Sequence, residues 1–267
     1  MQLTQAQMEE YRTKGYVLVP GLLSGDEVDV LEDAMRDLAS HDGPEVAREK
    51  NGKPHVIYGP HLLDERIGAL ARHPGLVGPS NELLGKDVFV HQSRVNAKQY
   101  LGAIVDWHQD WGTYHRVDGV PRDEGLMISI FMDDIDTCNA PLMCLPGSHV
   151  HGLVSEASIN RNAEDTDRAA KWRYDISYDT MQRLVDQHGM EPIVGPKGSV
   201  LFLQMAVVHG STVNITPRRR TILYINVCTT DNRGETFQRP EYLAARDFSP
   251  LQPLPPDCLT RYRRKAA

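Results

Sequence analysis

The chain is poor in several features that mark particular classes of protein. Its four cysteines form no Cys-x-x-Cys pair, which argues against a disulfide framework and against a cysteine zinc site. It contains no run approaching the roughly 18 apolar residues of a membrane-spanning helix. The net charge is −7 and a basic stripe is missing, so neither nucleic acid nor a membrane surface is the expected partner.

The beginning of the sequence also lacks the basic-then-apolar pattern of a secretory signal, because residues 2–14 have the pattern of a polar helix. Together with the cysteine usage, this predicts a cytoplasmic protein whose partner is a small molecule. The sequence leaves the oligomeric state open.

The order of the sequence patterns predicts a mainly β fold with flanking helices. Capping boxes beginning at Thr4 and Ser24 each open a helix, and residues 1–85 are expected to form a helical buttress. Short β-rich runs in residues 86–230 predict a jelly-roll or cupin-like core, a double-stranded β-helix. The polar residues 155–190 are predicted to form a lid inserted in that core. Since no repeat or linker divides the chain, we expect a single domain covering residues 1–267.

Candidate chemistry is concentrated in "DWHQDWGTYH", residues 106–115. His108 and Asp110 are two residues apart, so on an extended strand both side chains point to the same face. A lone His-x-Asp is expected by chance in a chain with this many histidines and aspartates, and the motif therefore needs a third partner. His209 closes the apolar strand "VLFLQMAVVHGS" and supplies a second imidazole. Two histidines and one carboxylate are the ligands typical of non-haem Fe(II) oxygenases.

An arginine that follows His209 in the sequence is a candidate for binding a co-substrate. Arg220 lies eleven residues after His209, at the beginning of another predicted strand, and a buried arginine requires an anionic partner. The dicarboxylate 2-oxoglutarate fits this requirement, because its keto-acid end chelates iron while its far carboxylate can accept two hydrogen bonds from arginine.

These motifs together resemble one known family. "WHQD", "PLMCLPGSHVHG" and "VVHGSTVNITPRRR" are similar to the phytanoyl-CoA dioxygenase family of Fe(II)/2-oxoglutarate-dependent oxygenases, and the likeness runs almost end to end. Within that family the chain resembles bacterial members that hydroxylate small free metabolites, namely ectoine hydroxylase and leucine 5-hydroxylase. The resemblance implies Fe(II), 2-oxoglutarate and O2 as the reacting set, with ascorbate in a supporting role.

The resemblance also implies roles for individual residues. The implied iron ligands, which are also the catalytic residues, are His108, Asp110 and His209. The implied contacts of 2-oxoglutarate are Arg220 and Ser211 at its far carboxylate, with Asn96 of "HQSRVN" helping and Gln92 facing the substrate or co-substrate region.

The substrate is suggested by finer differences within the family. Tyr114 stands where ectoine hydroxylases carry Trp, and Val117 where they carry an acidic residue, so ectoine is disfavoured. Tyr58 and His61 match the "LYxxH" element of the leucine enzyme, and Arg239 begins a matching "RPEY". The expected reaction is therefore hydroxylation of an unactivated C–H bond in a free L-amino acid. Tyr114 would line the pocket and Arg239 would receive the substrate carboxylate.

Other functions stay open or are disfavoured by particular residues. Hydroxylation of ectoine or a related compatible solute is the alternative enzyme activity, and a non-catalytic sensor of 2-oxoglutarate or metal is the alternative outside enzymes. Halogenation requires a small residue in place of the carboxylate ligand, and Asp110 argues against it. A nucleic-acid demethylase is disfavoured by the acidic charge balance.

Overall fold

The computed structural model of the chain describes residues 2–48, 52–102, 104–156, 174–236 and 238–263. Its helices are α1 Gln5–Lys14, α2 Gly25–Leu38, α3 Pro60–Leu63, α4 Glu65–Ala71, α5 Pro74–Leu84, α6 Asp110–Thr113 and α7 Tyr178–His188. Its strands are β1 Tyr16–Val19, β2 Val46–Arg48, β3 Pro54–Tyr58, β4 Val88–Lys98, β5 Val105–His108, β6 Gly125–Phe131, β7 Leu142–Cys144, β8 Glu191–Ile193, β9 Val200–Gln204, β10 His209–Ser211 and β11 Arg220–Thr229.

The strands form two antiparallel sheets, as a jelly roll requires. The larger sheet has the order β1-β9-β6-β11-β4-β3-β2, and the smaller sheet has the order β5-β10-β7-β8. Most neighbours in each sheet are distant in sequence, which is typical of this architecture and not of a simple meander. The expected mainly β fold with a jelly-roll core is confirmed.

The large sheet is buried on both faces, which explains its long apolar strands. Leu126, Ile128 and Ile130 of β6 pack in a cluster with residues of α2, α4 and α5. Met127 and Phe131 of the same strand pack against the small sheet. A strand covered on both sides has an almost continuous apolar sequence. The candidate residues of β4 and β11 are therefore carried by a sheet that is packed on both faces.

The two predicted capping boxes are present. The Thr4 hydroxyl accepts a hydrogen bond from the Gln7 backbone N–H, and the Gln7 side chain accepts one from the Thr4 backbone N–H. Ser24 and Glu27 form the same arrangement. Each capping box supplies acceptors for backbone N–H groups of the first helical turn, which have no partner within the helix. Residues 1–85 are nevertheless more than a helical buttress, because they also supply β1, β2 and β3 to the large sheet.

A bulge in β4 determines which side chains face the space between the sheets. Asn226 of β11 is paired with Gln92 and Val227 with Val90, so His91 is an additional residue in β4. A bulge shifts the alternation of side chains by one position. His91 and Gln92 consequently both contact Tyr114, although they are consecutive in sequence.

Of the predicted lid, residues 157–173 lie outside the described residues. The remainder includes the helix α7. None of the helices described is long and apolar enough to cross a membrane.

Candidate active site

Three of the expected residues meet at one point. One ligand-type atom from each of His108, Asp110 and His209 lies within 4.8 Å of the other two. Nε2 of His108 is 3.6 Å from Oδ1 of Asp110, and the two imidazole ring centroids are 4.3 Å apart. The two histidines are brought together by the pairing of β5 with β10, in which His209 lies directly opposite His108.

The backbone around these residues differs from the expectation. Asp110 is not on the strand with His108, because β5 ends at His108 and Asp110 begins the short helix α6. His209 does not close one long strand either, since β9 ends at Gln204 and His209 begins β10 in the other sheet. Gln109 stabilises the turn by donating hydrogen bonds of 2.7 Å to the carbonyls of Gly152 and Ala206.

Backbone contacts set the orientation of both imidazoles. Nδ1 of His108 lies 2.7 Å from the Asp106 carbonyl, and Nδ1 of His209 lies 3.0 Å from the Val207 carbonyl. A carbonyl oxygen can only accept, so each Nδ1 carries the proton and each Nε2 presents a lone pair. Nε2 of His209 is buried and has no hydrogen-bond partner among the described residues. An orphaned lone pair beside a second imidazole and a carboxylate fits a divalent iron ion.

The electrostatics keep His209 and Asp110 in the protonation states that metal binding requires. Burial, with a smaller contribution from His108, lowers the pKa of His209 to about 3. Burial alone would raise the pKa of Asp110, but Arg94 and the two histidines outweigh it and hold that pKa well below its usual range. At neutral pH His209 is therefore a neutral imidazole and Asp110 an ionised carboxylate, and neither must lose a proton before a metal binds.

The expected co-substrate residues line the same cavity. Asn96, Ser211 and Arg220 line it together with the three clustered residues. Arg220 Nε donates to the Ala140 carbonyl at 2.7 Å, whereas its Nη2 is buried and without a hydrogen-bond partner among the described residues. Burial lowers the pKa of Arg220, which expresses the cost of a guanidinium held away from water. A carboxylate at this position would offset that cost.

The position of Ser211 in the cavity depends on Gly210, the residue before it. His209 and Ser211 are two apart on β10 and point to the same side, while Gly210 faces β5. A Cβ at Gly210 would lie 2.9 Å from the Val105 carbonyl oxygen, closer than packed atoms allow. The glycine of "HGS" thus permits the close pairing of the strands that carry the two histidines.

Gln92, Tyr114 and Tyr58, which were expected to contact a substrate, also line this cavity. Gln92 Nε2 donates to the Leu243 carbonyl at 2.8 Å. Gln92 Oε1 accepts from Tyr114 Oη and from Arg94 Nη1, each at 3.2 Å. These contacts hold the wall of the cavity in one arrangement.

The other two expected substrate residues, His61 and Arg239, each have a partner within the protein. His61 lines another cavity with Leu62 and Val90, and its Nδ1 lies 2.5 Å from Ser93 Oγ. Arg239 borders the main cavity, but both Nε and Nη2 donate to the carboxylate of Asp118. This ion pair engages two of the five N–H donors of the guanidinium, and the assignment of the substrate carboxylate to Arg239 stays a prediction.

The sequence reading missed three polar residues of this region: Arg94, Lys98 and Asn226. Arg94 lies with its guanidinium 4.6 Å from the ring centroid of Tyr224, and its Nη2 is 3.9 Å from Asp110 Oδ1. A signal for two of them was present. From Gln92 onward every second residue of β4 is polar, and such alternation on a strand indicates a polar face.

A jelly roll that gathers two imidazoles, a carboxylate and a buried arginine defines the class of Fe(II)- and 2-oxoglutarate-dependent oxygenases. The model of the phytanoyl-CoA dioxygenase (PhyH) family matches residues 11–222, and the chain belongs to this family. It is a dioxygenase that uses Fe(II) and 2-oxoglutarate to hydroxylate a small metabolite.

Relatives of known activity match nearly the whole chain. L-proline trans-4-hydroxylase from Streptomyces griseoviridis is 31% identical over 255 residues, which cover 93% of this chain and 95% of the relative. Ectoine dioxygenase from Streptomyces avermitilis is 30% identical over 266 residues, covering 94% and 88% of the two chains. The crystal structure of EctD from S. alaskensis with 2-oxoglutarate and 5-hydroxyectoine has a TM-score of 0.81 and 27% identity, covering 94% of this chain and 87% of EctD.

Proposed function

We propose that this enzyme hydroxylates an unactivated C–H bond of a free L-amino acid, and that Arg94 receives the substrate carboxylate. The proposal depends on one observation, the hydrogen bonding of the Arg94 guanidinium, which borders the cavity. Of its five N–H donors, the described structure assigns one to an oxygen acceptor, Gln92 Oε1, and one to the weak acceptor Met127 Sδ. Its side chain is 19% exposed, so a small anion can reach it.

The electrostatics support a substrate anion at this position. Burial lowers the pKa of Arg94, but Asp110 and the neighbouring tyrosines outweigh it, so the pKa is raised and the group stays charged. The cavity is small, about 60 Å³, and its lining is rich in polar side chains. A compact charged metabolite suits such a cavity better than a long acyl chain.

The relatives support the same substrate class. One is an L-proline hydroxylase and others are ectoine dioxygenases, and each of those names describes a small molecule. Tyr114, which stands where ectoine hydroxylases carry Trp, favours the amino acid over ectoine. We also propose that the enzyme works in the cytoplasm, because its cysteines are free thiols.

In the proposed reaction His108, Asp110 and His209 hold the iron, and Ser211, Arg220 and Asn96 hold 2-oxoglutarate. When bound, Fe(II) and 2-oxoglutarate supply the oxidising chemistry that inserts one oxygen atom of O2 into a C–H bond. The protein binds the substrate carboxylate at Arg94, and Tyr114 and Gln92 fix the wall against which the rest of the molecule rests. This anchoring selects one C–H bond by position.

A substrate screen tests the proposal. Purified enzyme is supplied with Fe(II), ascorbate and 2-oxoglutarate and is offered single free L-amino acids, proline included, and ectoine. We expect one amino acid to gain one oxygen atom by mass spectrometry, with an equal amount of succinate formed. Hydroxylation of ectoine alone would overturn the amino-acid assignment. Binding of 2-oxoglutarate with no product from any compound would favour a sensor.

A further inference from the structure

Two histidines outside the active-site cavity face each other. His151 ends the short 3-10 helix Ser148–His151, and His188 is the last residue of α7. Their Nε2 atoms are 2.8 Å apart, and the ring centroids are 5.0 Å apart with an interplanar angle of 79°. Neither residue lines the cavity described above. The two imidazoles, here called the histidine pair, therefore form a separate group of metal-type ligands.

The backbone orients one ring of the histidine pair. His188 makes a hydrogen bond with the Pro146 backbone, and because proline has no N–H, the acceptor is the carbonyl. Nδ1 of His188 lies 3.2 Å from the point that a Cβ on Gly147 would occupy, so Nδ1 is on this side of the ring and donates. Nε2 then presents its lone pair to His151. A histidine that binds a metal through Nε2 has this tautomer.

The second ring can present a lone pair as well. Without a metal, His151 donates its Nε2 proton to Nε2 of His188. The described structure shows no hydrogen bond for Nδ1 of His151, so the proton can move to that atom. Burial, with a smaller contribution from His151, lowers the pKa of His188, which keeps this ring neutral at pH 7. A metal ion can therefore replace the proton between the two nitrogens.

The separation of the two nitrogens indicates the kind of ion. Nitrogens bonded to one metal at about 2.0 Å lie about 2.8 Å apart at a right angle and about 3.3 Å apart at a tetrahedral angle. The observed 2.8 Å corresponds to the right angle, which is typical of Cu(II) and Ni(II). The dipole of α7 also favours a cation at its C-terminal end, where His188 lies.

We propose that His151 and His188 form a second transition-metal site, for Cu(II) or Ni(II), apart from the iron site. In the described part of the chain, only the iron-binding set contains three or more clustered histidine, cysteine or acidic side chains. The histidine pair would therefore supply two ligands, and water would complete the coordination. This inference does not depend on the proposed substrate.

The site would stabilise the layer that covers the small sheet. Leu184 of α7 packs in one cluster with Leu145 and Val208. Ser148 Oγ accepts a hydrogen bond of 2.9 Å from the Val208 backbone N–H, and Val208 directly precedes His209. An ion shared by the histidine pair ties α7 to the turn that contains Ser148. Its role is structural, since neither imidazole reaches the cavity.

Counting bound Ni(II) tests the proposal. Protein without an affinity tag is dialysed to equilibrium against Ni(II) at neutral pH, and the bound metal is measured. We expect two equivalents in wild type, one at the iron site and one at the histidine pair, and one equivalent in His188→Asn and in His151→Asn. His41→Asn, which removes an exposed histidine, is the control and should keep two. Mg(II), which prefers oxygen ligands, should not occupy the pair.

A double variant and thermal unfolding show whether one ion is shared. His151→Asn combined with His188→Asn should lose no more Ni(II) than either change alone. At a hundredfold excess of Ni(II) over its dissociation constant, the unfolding midpoint should rise about 5 °C more in wild type than in His188→Asn. Equal rises, or two equivalents retained by either single variant, would overturn the proposal.

One more variant distinguishes this failure from failure of the iron-site assignment. His108→Ala should lose the first equivalent and keep the one at the histidine pair. If wild type binds a single equivalent that His188→Asn abolishes, the histidine pair is supported and the iron site is at fault. If His188→Asn retains that single equivalent, the histidine pair is not a metal site.

Discussion

Asn226 Nδ2 lies 3.1 Å from Oδ2 of Asp110, while Oδ1 of the same carboxylate faces His108 Nε2 at 3.6 Å. The two oxygens thus have different partners, and Oδ1 is the one presented to the cluster. The same amide nitrogen also contacts Tyr114 Oη at 2.5 Å. One amide therefore fixes both the expected metal-binding carboxylate and a wall of the substrate cavity.

Asn226→Ala should weaken metal binding without removing a ligand. Asp110 would lose the contact that orients it, and such losses lower metal affinity about 10- to 100-fold. Calorimetric titration of the metal-free protein with Co(II) measures the effect. Asn81→Ala, whose side chain bonds Asp87 far from the cluster, is the control. Unchanged affinity in Asn226→Ala would mean that Asp110 is held by other contacts.

Gly210→Ala should damage the pairing that brings the two histidines together. The added Cβ would lie 2.9 Å from the Val105 carbonyl oxygen, so β10 and β5 must separate. Overpacking of this kind costs about 1–3 kcal/mol of unfolding free energy, and we expect Co(II) affinity to fall with it.

Gly25→Ala is the matched control, since a Cβ there meets nothing within 4 Å. It lies in α2 and should leave stability equal or slightly higher. Denaturant unfolding and metal titration check both variants. Normal metal binding by Gly210→Ala would refute the importance of this close pairing.

Replacing Arg94 should impair substrate binding, whereas replacing Arg239 should impair stability. Arg94→Gln should raise the KM for the substrate about 30-fold or more, because a carboxylate loses its charged partner in a partly buried site. Arg239→Gln leaves Asp118 buried without its guanidinium, which should cost about 3–5 kcal/mol of stability. Steady-state kinetics and denaturant unfolding separate the two losses, and the opposite pattern would favour Arg239 as the substrate anchor.

His61 should make stability depend on pH in a defined window. Burial lowers its pKa to about 4 from the usual 6.5. Between these values the unfolded chain binds a proton that the folded protein does not, so stability is full above pH 6.5 and decreases as the pH falls toward 4. One such proton changes the free energy of unfolding by at most about 1.4 kcal/mol per pH unit.

His61→Asn should reduce this slope by the contribution of one proton, whereas Asn81→Ala, which removes no ionisable group, should not. Denaturant unfolding at a series of pH values measures the slopes. Identical slopes for wild type and His61→Asn would show that His61 does not contribute.

Local chemistry explains why parts of this structure were predictable. The capping boxes at Thr4 and Ser24 depend on residues three apart, and the strands of the core depend on runs of apolar residues and turn signals. His108, Asp110 and His209 were found because the chemistry of iron binding restricts the residue types. The motifs also matched a family whose members share that chemistry.

The features that the sequence did not predict depend on contacts between segments distant in sequence. The engagement of Arg239 by Asp118 joins residues 121 positions apart, and nothing in "RPEY" reveals it. The bulge at His91 follows from how β4 and β11 are paired, and it changes which side chains face the cavity. Asn226 contacts Asp110 and Tyr114 from another strand, so its position beside them becomes visible only in the folded protein.

The central claim is that His108, Asp110 and His209 bind one iron ion. It is tested most directly by a crystal structure of the anaerobic Fe(II)-loaded protein with an anomalous map at the iron edge. The account predicts a single strong peak bonded to Nε2 of both histidines and to Oδ1 of Asp110, at about 2.0–2.2 Å from each. A peak elsewhere, or one that His209 does not reach, would contradict it.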